Sequence, residues 1–215
     1  MILYREDPGI GQRALINSLV KLSTAKYIMK VDAHCSFSPG FDVALLKDMD
    51  DRTIMAPYLL PLDAENWKPK HFPKMSEYVF DSNLVMQHAK ESSSDLIVET
   101  MCLQGSAWLV NREKFWEWDL CDESLGSWGM QGTELGIRAY LNGARCVTNK
   151  KAFYAHLFRE NESQFPYERN KEEIAKTRDE FVKRYKNKRI AGLIEKYNYP
   201  ADWTKENVLD LPNML

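Results

Sequence analysis

The chain has no long apolar run, and nothing in it approaches the roughly twenty consecutive apolar residues of a membrane-spanning helix. Its cysteines are few. The four, Cys35, Cys102, Cys121 and Cys146, are widely spaced and form no C-x-x-C pair, which argues against a zinc knuckle or a dithiol redox motif. Basic residues are not in excess. Lys and Arg number 29 against 31 Asp and Glu, a net charge of −2, which argues against a general nucleic-acid or membrane-surface binder. Internal repeats and low-complexity segments are absent, and the first residues do not resemble a signal peptide. Isolated thiols and no apolar span lead to the expectation of a cytoplasmic protein with reduced cysteines.

What is present is ordinary for a globular chain. There are 215 residues, enough for one domain or a domain with an appendage, and 44% are hydrophobic. Six Trp and ten Tyr suit a carbohydrate or nucleotide site, although aromatics mostly fill cores. Apolar Ile10, Ala14, Leu15, Leu19 and Leu22 recur at helical spacing and predict a core-facing helix over 9–24. A strand over 27–32, a short helix over 41–49 and a strand over 53–58 ended by Pro57 follow. The proline-containing stretch 60–74 reads as a long loop. Strand pieces are predicted over 77–89, 96–102, 107–110, 145–148 and 153–156. Asn111 caps a short helix, and a helix over 133–141 ends at Asn142-Gly143. Alternating strands and helices to about residue 157 predict an α/β sheet. Beyond it, 168–186 and 189–197 read as helices, and the tail has one apparent anchor, Trp203.

The chemistry concentrates at Tyr27 to Cys35, Y-I-M-K-V-D-A-H-C, an apolar strand that stops on Asp32 and His34. In an open α/β sheet, ligands sit beyond the carboxyl ends of the strands. Residues two apart on an extended chain face the same way, so Asp32 and His34 can share a divalent cation. A surface pair on a strand-to-loop turn is the alternative. A second apolar run, Phe153 to Ala155, ends on His156. If both runs end at the same edge of the sheet, Asp32, His34 and His156 converge on one pocket. His71 and His88 match no pattern and read as structural.

Three patches fall in order: Gly9, Arg13 and Asn17 before D-A-H; G-S-W-G-M-Q-G-T-E-L-G-I-R-A-Y-L-N-G from Gly126 to Gly143; and A-H-L-F-R from Ala155 to Arg159. Together they resemble the family 2 glycosyltransferases of GT-A fold, closest to the polypeptide N-acetylgalactosaminyltransferase branch and its bacterial and phage relatives. The resemblance implies a metal-dependent transfer of sugar from a nucleotide-diphosphate sugar, UDP-linked, to a glycan or protein acceptor. It implies Asp32, His34 and His156 as ligands of Mn2+, with Mg2+ also compatible. It places Arg13 and Lys30 at the nucleotide or phosphates. Gly105, Trp128, Gln131 and Glu134 fall on the sugar side, with Gln131 and Glu134 at the catalytic positions.

Each of these has a structural alternative: Gly105 in an ordinary turn, Trp128 packing its own loop, and Glu134 stabilising a helix dipole. The usual acidic residue at the position of Gln131 is absent, and glutamine cannot act as a general base. The family opens with a strand, a helix and a second strand that hold the nucleoside, on the order of sixty residues for two such units. Only eight residues precede Gly9 here. The expectation is therefore a GT-A-like mixed sheet with flanking helices over 1–159, amino-terminally truncated: a fragment, a part completed by a separate chain, or a trimmed fold that cannot hold a nucleotide in the usual way. A helical carboxyl-terminal extension covers 160–215. The alternative function is a non-catalytic carbohydrate- or partner-binding remnant of the same fold.

Overall fold

The computed structural model describes residues 10–70, 76–89, 93–159 and 170–212. Helix α1 (Gln12–Leu22) leads to strand β1 (Tyr27–Val31), and Asp32 to His34 carry the chain to β2 (Cys35–Phe37) and α2 (Phe41–Lys47). There follow β3 (Thr53–Asp63), β4 (Lys68–Pro69), β5 (Tyr78–Phe80), β6 (Met86–His88), β7 (Ile97–Thr100) and β8 (Ala107–Asn111). Then come α3 (Arg112–Glu117), α4 (Gln131–Leu141) and β9 (Arg145–His156). Three helices close the chain: α5 (Lys171–Tyr185), α6 (Ala191–Lys196) and α7 (Lys205–Leu209).

The central sheet is mixed, with strand order β1-β8-β3-β9-β2, and β7 flanks the first half of β9. β8 runs antiparallel to both β1 and β3, and β3 runs parallel to β9. So β1, β3 and β9 all point one way, and their carboxyl ends share an edge. Side chains alternate across β8. Trp108 and Val110 pack with Ile16 of α1, Phe115 of α3 and Leu135 of α4, while Leu109 packs on the other face with Met55, Val147 and Leu45 of α2.

The expected loop over 60–74 begins as strand, because β3 continues through Pro57 to Asp63, and its residues 71–74 lie outside the described residues. A proline cannot donate to a ladder, and here it does not have to. The pairing with β9 slips at Pro57: Pro57 faces Asn149, the next residue Tyr58 faces Phe153, and Lys150 to Ala152 bulge out. That same bulge joins the two strand pieces expected at 145–148 and 153–156 into one strand, β9. His71 lies outside the described residues. His88 sits in the β5–β6 hairpin, 5.3 Å from the ring of Tyr78.

Helix α1 also differs from expectation. It buries Arg13, Ile16 and Val20, whereas Leu19 and Leu22 of the predicted core stripe are exposed. Helix α4 starts at Gln131, two residues earlier than predicted, after Met130 in a left-handed conformation. It lies directly on the 101–105 segment. A Cβ on Gly132 would come within 2.0 Å of the Leu103 carbonyl, and one on Gly136 within 2.2 Å of the Met101 carbonyl. The G-x-x-x-G spacing on α4 is the signal for this close approach, and the sequence reading passed over it.

The carboxyl-terminal stretch has more than one anchor. Phe181, Tyr185, Ile190, Leu193, Ile194, Trp203, Val208 and Leu211 join a core cluster with Leu59, Phe80, Leu84 and Ile137 of the α/β body. Trp203 also donates from Nε1 to the Phe80 carbonyl at 3.2 Å. Replacing Trp203 by alanine should therefore cost about 3–5 kcal/mol. Urea unfolding of the two proteins measures this, and a loss under about 1 kcal/mol would show the tail to be dispensable.

Candidate metal and sugar-binding site

Asp32 and His34 follow β1 at the carboxyl edge of the sheet. Backbone bonds set their places: Asp32 N–H donates to the Ser106 carbonyl at 2.8 Å, and the His34 carbonyl accepts from Leu157 N–H at 3.1 Å. Cys35 is paired with His156 across β2 and β9. A crossing of three residues thus brings the end of β1 to the end of β9.

Three side chains meet there. Asp32, His34 and His156 each offer a ligand atom, and these atoms lie within 4.8 Å of one another. Asp32 Oδ2 is 3.3 Å from His156 Nε2 and 4.0 Å from His34 Nε2. The two imidazole rings are 4.6 Å apart, and Phe158 stands edge-on to His156. One carboxylate oxygen with two imidazole nitrogens is a donor set for a divalent transition metal. Ligand nitrogens and oxygens near 2 Å from a common ion lie roughly 3–4 Å apart. The cluster is thus within a small closure of that arrangement, and the residues fit the group.

The electrostatics favour a ligand-ready Asp32. Burial works against its charge, but the bond from His156 and the charge of Lys30 outweigh it and bring the pKa down to about 2. Lys30 donates to Asp32 Oδ1 at 2.5 Å and to the Gly105 carbonyl at 2.6 Å. It holds one carboxylate oxygen and leaves the other facing the histidines, which is how an outer partner orients a metal ligand. Burial lowers the pKa of His34, and the neighbouring His156 adds to the effect. His34 is therefore more readily the neutral, metal-binding form. The K-x-D-x-H alternation is the signal for this contact of Lys30, a residue expected at the nucleotide or phosphates.

Arg13 and Glu134 need correction. Arg13 is 1% exposed and Glu134 fully buried, and they pair at 2.9 Å. The Arg13 guanidinium also donates to the carbonyls of Gly126 and Gly129 at 3.1 and 2.6 Å. Neither has a face open to substrate. Burial pushes the Glu134 carboxyl upward against the pull of Arg13. Arg13 is therefore not free for a nucleotide nor Glu134 for a proton; the pair ties α1 to α4.

Gln131 is buried as well. Its Nε2 donates to Cys121 Sγ at 3.4 Å, while its Oε1 has no hydrogen-bond partner. A Cβ on Gly105 would lie 3.5 Å from that oxygen, so Gln131 lines the same turn that holds Lys30. Trp128 stands out of its loop, 44% exposed.

No family model matches the chain. Sequence comparison finds N-acetylgalactosaminyltransferase 6 of Drosophila melanogaster, 22% identical over 96% of this chain and 33% of the relative. Polypeptide N-acetylgalactosaminyltransferase 3 of the same species is 25% identical over 64% of this chain and 22% of its own length. The chain thus spans a third or less of these relatives. Among solved structures, GalNAc-T7 with UDP, GalNAc and Mn2+ superposes with a TM-score of 0.65 at 15% identity, over 92% of this chain and 39% of that one. The fold is GT-A, and the chain is similar in both sequence and fold to the GalNAc-transferase branch.

The Arg13–Glu134 pair generates a stability test. Arg13→Met leaves a buried carboxylate alone and should cost about 3–5 kcal/mol, whereas the double change Arg13→Met with Glu134→Leu should recover much of the loss. Denaturant melts of the two single variants and the double variant measure the coupling. Additive losses would mean that the pair does not act as a unit.

Proposed function

We propose, on the premise of a GT-A fold similar to the GalNAc-transferase branch, that the chain is a metal-dependent glycosyltransferase acting on a nucleotide-diphosphate sugar, with UDP as the nucleotide. The observation that carries this is the meeting of Asp32, His34 and His156 from two strands far apart in sequence. Asp32, His34 and His156 would hold Mn2+, or Mg2+ in its place. The bound ion supplies Lewis-acid stabilisation of the diphosphate leaving group.

The chain's own residues supply positioning. Lys30 keeps Asp32 ionised and fixes which oxygen faces the histidines. The Gly105 turn and Gln131 line the sugar side, and Trp128 presents a flat face beside it. In the reaction, an acceptor hydroxyl oxygen bonds to the anomeric carbon as the bond to the diphosphate breaks. The electron pair leaves on the diphosphate, and the hydroxyl proton passes to water. With Glu134 buried in its ion pair, this reading assigns no carboxylate base. It rests the rate on positioning and leaving-group stabilisation.

Among the described residues the outer edge of β1 pairs with no strand. Together with the exposed Leu19 and Val31 of the cavity beside it, that edge supports completion of the nucleoside side by a further segment or a partner chain. No helix among the described residues is long and apolar enough to cross a membrane. Four unpaired cysteines, three of them buried, support action in a reducing compartment such as the cytoplasm.

The charge balance makes a specific prediction. Among the described residues Asp32 is the one carboxylate of the cluster, and Lys30 already offsets it. A divalent ion therefore needs an anionic co-ligand. Mn2+, followed by electron paramagnetic resonance of the free ion, should bind about tenfold tighter or more with UDP present than without. His156→Ala should abolish binding. Lys30→Met should weaken it about ten- to a hundredfold in UDP through loss of Asp32 orientation. No Mn2+ binding by the intact chain in saturating UDP would overturn the metal reading. Chelation should stop transfer in any active preparation.

A further inference from the structure

The carboxylate and the two imidazoles of the Asp32–His34–His156 cluster hang from different parts of the sheet edge. Asp32 belongs with β8: its N–H donates to the Ser106 carbonyl at 2.8 Å, and Val31 before it is paired with Ala107. Lys30, which holds Asp32 Oδ1, donates also to the neighbouring Gly105 carbonyl. His34 and His156 belong with β9: the His34 carbonyl accepts from Leu157 N–H, and His156 ends that strand. Strand β3 lies between β8 and β9, so the two anchors are about 10 Å apart, two strand spacings. Any drift between them changes the distance from carboxylate to imidazoles.

We propose that Ser106 and Tyr154 are positioning residues for this cluster, a buried hydroxyl pair that fixes the Asp32 anchor to the His156 strand. The proposal rests on the metal-dependent reading above and adds to it two residues outside the three ligands.

Three observations carry it. The first is the bond itself. Ser106 Oγ lies 2.8 Å from the Tyr154 hydroxyl, with Ser106 4% exposed and Tyr154 fully buried. Among the described residues neither hydroxyl has another partner. Away from water such a bond is strong, and either group alone is left unsatisfied. An aromatic ring needs no hydroxyl to fill this core, and the bond to Ser106 is the use it has.

The second observation is place. Ser106 is the residue whose own carbonyl carries Asp32, and Tyr154 stands two residues before His156 on an extended strand. β8 is in register with β3 at Met55 and Leu109, three residues short of Ser106. The hydroxyl pair ties the edge beyond that point. The third observation is a rigid reach. Phe37 of β2 stacks on the Tyr154 ring, with centroids 5.9 Å and planes 22° apart, and Leu59 of β3 is paired with Tyr154 on the other side. The phenol is clamped between its neighbours, so its hydroxyl is a fixed point for Ser106.

The test compares Tyr154→Phe, Ser106→Ala and their double variant with Thr53→Val, which removes a buried hydroxyl bonded to Asp50 at the opposite edge of the sheet. Electron paramagnetic resonance of free Mn2+ in saturating UDP reads the cluster, and urea unfolding reads stability. Each single change in the pair should weaken Mn2+ binding about tenfold, the low end for loss of an outer partner of a metal ligand. The double variant should regain stability, because no hydroxyl is left unpaired, while its Mn2+ binding stays weak. Thr53→Val should lose stability yet keep Mn2+ affinity within about twofold of the parent. Unchanged affinity in Tyr154→Phe, recovery of affinity in the double variant, or equal weakening by Thr53→Val would each overturn the proposal. Hydrogen exchange of the metal-free protein supplies a readout that needs no ion. The Asp32 amide should exchange about tenfold faster in Tyr154→Phe, and the amides at the start of β3 should not follow. An Asp32 amide that does not respond would overturn the proposal too. If the parent binds no Mn2+ while the Asp32 amide responds, the tie stands and the metal reading falls. Should Tyr154→Phe fail to fold by circular dichroism, Ser106→Ala carries both measurements.

Discussion

The buried pair of Arg13 and Glu134 is the contact on which the site's architecture depends. Two charges survive out of water only when nearly every donor and acceptor is used. Arg13 makes four hydrogen bonds, two to Glu134 and two to carbonyls of the Gly126–Gly129 loop. That satisfaction orients three elements at once. It draws the Arg13, Ile16 and Val20 face of α1 inward, so Leu19 and Leu22 are left at the surface. It fixes the start of α4 against the 101–105 segment. It also pins the loop around Trp128, whose indole stands half-exposed.

A large part of this was legible from residue order alone. Two apolar runs ending on polar residues predict strands that finish at one edge, and the parallel course of β1 and β9 has that result. Gly143 after Asn142 marks a helix end because a left-handed residue there suits glycine, and its φ is 66°. The misreadings share a cause. Pro57 looks like a strand breaker until a partner strand with a bulge excuses it. Arg13 and Glu134 look like surface or catalytic charges until a partner 121 residues away removes both from water. Local pattern cannot reveal a non-local partner. The apolar stripe on α1 was misassigned for the same reason, since its true inner face contains an arginine.

The cluster of Asp32, His34 and His156 illustrates how few groups need to be arranged once a sheet edge exists. Strand pairing places His34 beside His156 through Cys35, and a single lysine two residues before Asp32 decides the carboxylate's orientation. Lys30, Asp32 and His34 follow the alternation of an extended chain. The result, among the described residues, is a cluster poor in negative charge. On the proposed reading such a cluster would hold an ion loosely by itself and firmly when a diphosphate completes the neutralisation.

The separation of Asp32 from His156, 124 residues along the chain, has a bearing on how the molecule assembles. Closing so long a loop carries a high entropic cost, so contacts of this kind form late. At the His156 end the cluster depends on β9, which is itself seated on β3 and β2. No partly folded intermediate lacking that strand pairing can carry it. An ion that binds only the finished cluster adds its free energy to the native state alone. On the proposed reading, metal uptake would be a late checkpoint of folding, and its onset in a refolding experiment would mark the moment when both ends of the sheet have closed.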